Sequence, residues 1–261
     1  MTTPNDLLAI ALDAASAGAA VLAEGAATGF TALRTKGAVG DVVTEIDLAA
    51  ERAVRAVIEA RRPSDDITGE EYGSTGSGAD LRWSIDPLDG TSNFVRGMPH
   101  YATSVAVQHV PSGAWLAGVV HAPELRRVYA AARGEGATLH ASGTTRAISG
   151  PAPDAAPKLL AVGFSYDAAQ RAGQLSLLPA QMLDYTDVRS IGSAALGLCL
   201  VAEGAVDAFT ESDLYEFDWA AGALIAEEAG LVVHRPTSFR GGIVAHAPHL
   251  DGTALRIGAG R

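Results

Sequence analysis

Asp86 and Asp89 stand three residues apart in Trp83-Ser-Ile-Asp-Pro-Leu-Asp-Gly-Thr-Ser-Asn-Phe94. The alternation over 81–85 predicts a strand that delivers Asp86 to its end. Pro87 then restricts the backbone, Gly90 permits an unusual φ, and Thr91 or Ser92 can begin a helix. Two carboxylates across such a turn can face one cavity. Ionised together there they repel each other, and hard divalent cations would relieve the repulsion. Asp-Pro and Asp-Gly are equally at home in plain turns, and this spacing alone weights the two readings about equally.

Three further segments bear on the choice. Gly69-Glu70-Glu71-Tyr-Gly73 sets acidic residues between glycines after a short extended piece, although a solvated turn reads the same way. In Glu216-Phe-Asp218-Trp-Ala-Ala-Gly222, Asp218 reads first as a helix N-cap, and a carboxylate there is also well placed to bind metal. Gly222 would let that helix pack closely on a neighbour. In Arg189-Ser-Ile-Gly192-Ser-Ala194, Gly192 and Ser193 open a helix whose backbone amides and dipole suit a phosphate, although the default is a tight strand-to-helix turn. The seven histidines do not cluster at ligand spacing, and there is no Cys-x₅-Arg nucleophile.

The elements that must position these residues follow from periodicity. A helix is predicted over 6–24 and a loop over 28–43, where Lys36-Gly-Ala-Val-Gly40 should be mobile. Thr44 with Asp47 resembles a capping box, opening a helix that stops at Pro63. Residues 73–80 read as a loop. Strands at 101–110 and 114–120 form a hairpin, and the antiparallel pattern continues through 128–132 and 138–140. The Gly- and Pro-rich stretch 142–157 reads as a seam. Beyond it, strands at 159–162, 187–190 and 206–210 alternate with helices at 168–183, 193–202 and 218–229, and strands at 231–234 and 242–245 close the chain. The expected organisation is an N-terminal α+β half, residues 1–145, with an antiparallel sheet, and a C-terminal α/β half, residues 146–261, with the site between them.

Composition narrows the function classes. The chain has 261 residues, 48% hydrophobic and 19% charged, which suits a globular protein with a substantial core. Its net charge of −11 and lack of any Lys/Arg cluster beyond pairs argue against nucleic acid as a ligand. An anionic phosphate can still bind if metal ions supply positive charge. Cys199 is the sole cysteine, so no intrachain disulfide forms and a cytoplasmic setting is expected. The start lacks a basic region followed by an apolar stretch, so no signal peptide or membrane span is expected.

The chain resembles the inositol monophosphatase family, within the lithium-sensitive, magnesium-dependent sugar-phosphate phosphatases. The resemblance rests on Asp86-Pro-Leu-Asp-Gly-Thr-Ser-Asn-Phe94, Asp218-Trp-Ala-Ala-Gly222 with Glu227-Glu-Ala-Gly230, Gly69-Glu70-Glu71, Asp41-Val-Val-Thr-Glu-Ile-Asp47 and Arg189-Ser-Ile-Gly-Ser-Ala-Ala195, in family order across nearly the whole chain. It implies a layered αβαβα fold, a cytoplasmic homodimer, and two or three Mg²⁺ per site. Glu70, Asp86 and the Leu88 carbonyl would hold the first ion. Asp86, Asp89 and Asp218 would hold the second. Glu70, with water near Asp47, would support a weaker third. Glu70 and Thr91 would orient the attacking water, and the Gly90 and Thr91 amides would hold phosphate. Gly192, Ser193, Ala194 and Glu211 would contact the polyol, with Asp89 and Asp218 close by. Lys36 would sit on the mobile loop. Phe217 stands where the family often has Trp, and Tyr215 lies in the region that lines the polyol in relatives.

The implied activity is phosphomonoester hydrolysis, with inositol 1-phosphate the leading substrate. Histidinol phosphate, fructose 1,6-bisphosphate or a 3′-phosphonucleotide would use the same machinery. A reading from another class is a phosphatase fold kept as an interaction protein.

Overall fold

The structure is a computed structural model that describes residues 2–29, 32–35, 42–76 and 78–256. Lys36 lies outside the described residues. The elements, in chain order, are α1 (Pro4–Thr28), β1 (Ala32–Thr35), β2 (Val42–Thr44), α2 (Glu45–Arg61), β3 (Asp66–Gly69), β4 (Gly73–Thr75), β5 (Leu81–Asp89), α3 (Thr91–Val95), β6 (Ala102–His109), β7 (Ala114–Ala122), β8 (Arg127–Ala132), β9 (Ala137–Ala141) and β10 (Thr144–Ile148). There follow β11 (Leu159–Val162), α4 (Ala168–Gln181), β12 (Asp187–Ser190), α5 (Ala194–Glu203), β13 (Ala208–Tyr215), α6 (Glu216–Glu228), β14 (Val232–His234), β15 (Arg240–His246) and α7 (Thr253–Arg256).

Among the described residues there are three sheets: the β1–β2 pair, an eight-stranded sheet in the order β10-β9-β8-β7-β6-β5-β3-β4, and a five-stranded sheet in the order β12-β11-β13-β15-β14. The large sheet is antiparallel except where β3 runs parallel to β5. In the smaller sheet β11 pairs parallel with β12 and β13, and β15 pairs antiparallel with β13 and β14.

The two-residue period of the strands explains the layering. Ile85, Val105, Val107 and Val119 point to one face of the large sheet, where they pack with Leu7, Ala11 and Ala14 of α1 and Val54 and Ile58 of α2. Ala102, Ala106, Val120 and Ala122 point to the other face, against Ala195 and Leu198 of α5 and Ala221 and Leu224 of α6. That second cluster continues onto Phe209, Ile243 and Ala245 of the smaller sheet. The far face of the smaller sheet packs Leu160, Val162 and Val244 against Leu178 of α4 and Leu255 of α7. The order of layers is helix, sheet, helix, sheet, helix.

Small residues set the spacing. A Cβ on Gly18 of α1 would lie 2.8 Å from Thr103 and Val54 side-chain carbons, and one on Gly118 would lie 3.0 Å from the Ala221 backbone. By length and composition α1 could cross a membrane; here Leu7, Ala11, Ala14 and Leu22 are fully buried within the fold.

Several boundaries differ from the sequence reading. Residues 73–75 pair with β3 instead of looping. Residues 144–148, inside the expected seam, form the edge strand of the large sheet. Strand β5 runs on to Asp89 because a bulge absorbs the Pro87 region. In α6, Tyr215 holds the N-cap position and Asp218 is the third residue inside, so Asp218 is not the N-cap.

Candidate active site

Strand β5 brings two carboxylates into the cavity by breaking its own ladder. Asp86 pairs with Ser104 and Asp89 with Ala102, so two residues of β5 oppose one of β6. Such a bulge re-aims side chains, and Pro87, with no N–H to donate, is tolerated there. The Thr103 hydroxyl donates to the Pro87 carbonyl at 2.9 Å and pins the bulge. Gly90 follows with φ of 94°, and a Cβ there would lie 2.8 Å from the His100 carbonyl oxygen and 3.2 Å from that of Gly192. Glycine is therefore required twice over, by conformation and by space.

A cavity of about 970 Å³ opens at this bulge. Glu70, Asp86, Asp89, Thr91, Glu211 and Asp218 line it, together with Leu88, Gly90, Gly192, Ser193 and Ala194. The structure thus gathers every site residue expected from the sequence except two: Lys36, which is not described, and Asp47, which stands behind the cavity wall. Asp47 is 1% exposed. One of its oxygens accepts from the Thr44 amide at 2.7 Å and the Thr44 hydroxyl at 2.5 Å, and the other accepts from the Thr91 hydroxyl at 3.2 Å. The Thr91 hydroxyl also lies 3.0 Å from the Leu88 carbonyl oxygen, which it can reach as a donor. The capping box at the start of α2 therefore sets the orientation of Thr91.

The acidic groups share one low-dielectric space. Burial, followed by the charges of Glu70, Asp89 and Asp218, pushes the Asp86 carboxyl well above its ordinary value. Burial, followed by the charges of Glu70 and Asp89 and to a lesser extent Glu211, does likewise for Asp218, against a lowering by the Tyr215 amide. Burial raises Asp89 to about 6, although hydrogen bonds from Ser193, Ala195 and Ala194 pull the other way. Glu211 rises to about 8 through burial and then the charges of Asp89 and Asp213.

Each aspartate has a local partner. The Ser193 hydroxyl donates to Asp89 at 2.5 Å, the Ala195 amide at 2.7 Å and the Ala194 amide at 3.3 Å. The N-terminus of α5, read from the sequence as a seat for phosphate, holds the Asp89 carboxylate, which the same amides and dipole attract. Asp218 accepts from the Tyr215 amide at 2.6 Å and Asp86 from the Leu88 amide at 3.0 Å. Accordingly, among the described residues no three His, Cys, Asp or Glu side chains are already drawn together as a coordination shell. The donor set nonetheless suits a hard divalent cation, since it is all oxygen and its members repel one another until a positive charge arrives.

Sequence reasoning missed several residues that shape this site. Asn93 donates through Nδ2 to the His100 carbonyl at 2.7 Å and the Ile191 carbonyl at 2.9 Å, tying α3 to the Gly192 turn. Gly163 leaves room for Glu211, whose Oε2 lies 1.8 Å from where a Cβ would stand. Glu51 and Arg55 of α2 reach the Glu70 turn. A signal for the last pair existed, because Asp47, Glu51 and Arg55 recur every four residues and share one helix face.

The inositol monophosphatase family model matches residues 4–255. The chain belongs to the inositol monophosphatase family. An inositol-1-monophosphatase from Mycobacterium leprae is 42% identical over 244 residues, 88% of this chain and 82% of that protein. A Nus factor SuhB from Pasteurella multocida is 37% identical over 262 residues, covering 97% and 93% of the two chains. Among solved structures, Mycobacterium tuberculosis SuhB superposes with a TM-score of 0.80 at 37% identity, covering 95% of this chain and 94% of that one. The Bartonella henselae suhB protein does so with a TM-score of 0.86 at 28% identity, covering 96% and 97%. The layered fold is the family's fold.

Proposed function

We propose that this chain is a magnesium-dependent phosphomonoesterase with inositol 1-phosphate as its leading substrate. The observation that carries this reading is the convergence of Glu70, Asp86, Asp89 and Asp218, distant in sequence, on one cavity beside Thr91 and Glu211. Glu70, Asp86 and the Leu88 carbonyl would hold a first Mg²⁺, and Asp86, Asp89 and Asp218 a second. A third, weaker site would use Glu70 and water near Asp47. Two such ions would supply charge neutralisation, an acidified water and a clamp on the entering and leaving oxygens.

The chain's own residues prepare that chemistry. The Thr91 hydroxyl donates toward Asp47, and Thr91 lines the cavity, so its oxygen would be left to accept a proton from the attacking water. Glu70, which lines the same cavity, would offer a second acceptor, and together the two would orient the attacking oxygen. The Gly90 and Thr91 amides would receive phosphate oxygens. Gly192, Ser193, Ala194 and Glu211 would meet the polyol hydroxyls, with Asp89 and Asp218 at the boundary between phosphate and polyol. Uncatalysed hydrolysis of a phosphate monoester is among the slowest known reactions, which is why so many charged groups are concentrated in one place.

The same reading includes lithium sensitivity, a cytoplasmic homodimer, Lys36 near the metals, and neither nucleic acid nor membrane as a partner. Some relatives carry the name Nus factor SuhB and not that of a phosphatase, which keeps a second reading in view, a phosphatase fold retained as an interaction protein. The acidic set, complete at Glu70, Asp86, Asp89 and Asp218, favours catalysis. Phosphate release should be measured on inositol 1-phosphate, histidinol phosphate, fructose 1,6-bisphosphate and a 3′-phosphonucleotide, before and after chelation and with Mg²⁺ restored. Turnover that survives thorough chelation would remove the metal reading, and no turnover on any ester would leave the interaction-protein reading.

A further inference from the structure

We infer that Glu51 and Arg55 are positioning residues for Glu70, a role that rests on the phosphatase reading above. Glu51 is 0% exposed and Arg55 7%, both on the face of α2 that turns inward. The Glu51 carboxylate accepts from the Glu71 amide at 2.7 Å through Oε2, and from the Tyr72 amide at 3.2 Å and Arg55 Nε at 2.8 Å through Oε1. Arg55 in turn donates to the Gly73 carbonyl at 2.5 Å and the Thr75 hydroxyl at 3.0 Å. The two amides that follow Glu70, and the carbonyl that closes its turn, are therefore all held from a single helix.

A surface turn does not need such a device. Glu71 is half-buried and Tyr72 is 44% exposed, so water could satisfy the amides of a turn at this depth. Burying an ion pair to do the same work carries a desolvation cost that only close geometry recovers. What the pair adds is direction. A carboxylate with both oxygens engaged, backed by a planar guanidinium, fixes the turn's orientation as water cannot. Gly69 completes the fit: a Cβ there would lie 2.1 Å from Glu51 Oε1, so its absence lets the carboxylate press against the backbone beside Glu70. One helical turn earlier, Asp47 orients Thr91 in the same way. A single face of α2 thus sets both groups assigned to the attacking water, Thr91 through Asp47 and Glu70 through Glu51 and Arg55.

The test compares wild type with Glu51→Gln, Arg55→Lys and Gly69→Ala, using Leu7→Ala as a control that lowers stability from a remote, fully buried position. Three quantities are read on the full chain: hydrogen exchange of the 69–75 segment without metal, Mn²⁺ affinity by calorimetry, and kcat and KM for inositol 1-phosphate at saturating Mn²⁺. Exchange at Glu71 and Tyr72 should quicken at least tenfold in Glu51→Gln, with Mn²⁺ bound at least fivefold more weakly, kcat reduced and KM little changed. Arg55→Lys should show the same pattern more mildly. Leu7→Ala should melt earlier but bind Mn²⁺ as wild type does. If Glu51→Gln does not fold, Arg55→Lys and Gly69→Ala decide the matter. Variants that melt earlier but match Leu7→Ala in exchange and Mn²⁺ affinity would overturn the positioning role alone. A wild-type chain that binds no Mn²⁺ and hydrolyses no ester would overturn the phosphatase reading, and the clamp's purpose with it.

Discussion

Arg82 on β5 and Glu216 at the start of α6 face each other 134 residues apart in sequence, joined by hydrogen bonds of 2.6 and 2.9 Å. Arg82 also donates to Gln108 at 2.8 Å. The strand that carries Asp86 and the helix that carries Asp218 are therefore fastened by a fork-to-fork contact outside the cavity, four residues before the first carboxylate and two before the second. The geometry is bidentate and both side chains are largely buried, so the pair is not an exposed ion pair of negligible worth.

The first prediction concerns this fastening. Arg82→Met should leave Glu216 buried without its cation and destabilise the fold by about 3 kcal/mol, as expected when one partner of a buried pair is removed. Because the two elements carry different ligands of the same proposed ion, metal affinity should fall along with stability. Urea unfolding with and without Mg²⁺ checks both. An unchanged midpoint would mean that packing of α6 on the sheet holds the helix without the ion pair.

The second prediction is a pH dependence. Glu211 has its carboxyl raised from 4.5 to about 8 in the folded protein. Between those values the folded state holds more protons than the unfolded state, so this group's contribution to stability falls as pH rises through that window and is constant above it. Glu211→Gln removes the dependence. Without metal, the variant should match wild type near pH 4 and be the more stable by about 2 kcal/mol or more at pH 8.5. Thermal melts across that range in chelator provide the measurement, and a difference that does not vary with pH would show that Glu211 is not ionised against its surroundings.

Much of this site was legible in the chain, for identifiable reasons. The run from Trp83 to Phe94 announces a strand, a kink, two carboxylates and a helix start through local residue types alone, and the structure keeps all four. Gly222 was readable as a packing residue, and a Cβ there would lie 2.8 Å from that of Leu198 on α5. What stayed hidden depends on long-range contacts. The α5 amides read as open to phosphate because nothing local shows that Asp89, more than a hundred residues earlier, reaches them. Residues 144–148 read as part of the seam because their strand character comes from the ladder with β9, and most of their side chains remain exposed. Glu51 and Arg55 were passed over, since i,i+4 spacing shows a shared helix face but not its burial.

The third prediction separates metal binding from folding at Asp89. Asn at this position keeps the size and one acceptor oxygen for Ser193 and the Ala195 amide, so α5 should stay in place and the melting temperature without metal should not fall. Loss of the negative charge should weaken the hold on the proposed second Mg²⁺ and reduce Mg²⁺-dependent turnover about a hundredfold or more, as expected when an ion that would stabilise transition-state charge is lost. Steady-state phosphate release alongside a chelated melt tests the two halves together. An active Asp89→Asn enzyme would refute the assignment of this carboxylate to the metals.

The fourth prediction tests whether the packing of α6 is set as tightly as its glycine implies. Beyond the Leu198 contact, a Cβ on Gly222 would lie 3.1 Å from the Ala195 carbonyl oxygen, backbone that cannot rotate aside. On its other side α6 meets the large sheet, where a Cβ on Gly118 would lie 3.1 Å from the Ala221 carbonyl oxygen. The helix is therefore held on two flanks without slack, and Asp218 lies one turn from Gly222. Gly222→Ala should cost about 1 to 3 kcal/mol by overpacking, offset slightly by alanine's better helix propensity. Because relief can come only by moving α6 or α5, metal affinity should weaken with stability. A crystal structure of the variant with urea and calorimetric data would show the shift. A variant as stable as wild type with unmoved helices would mean that the interface gives by a few tenths of an ångström at no cost.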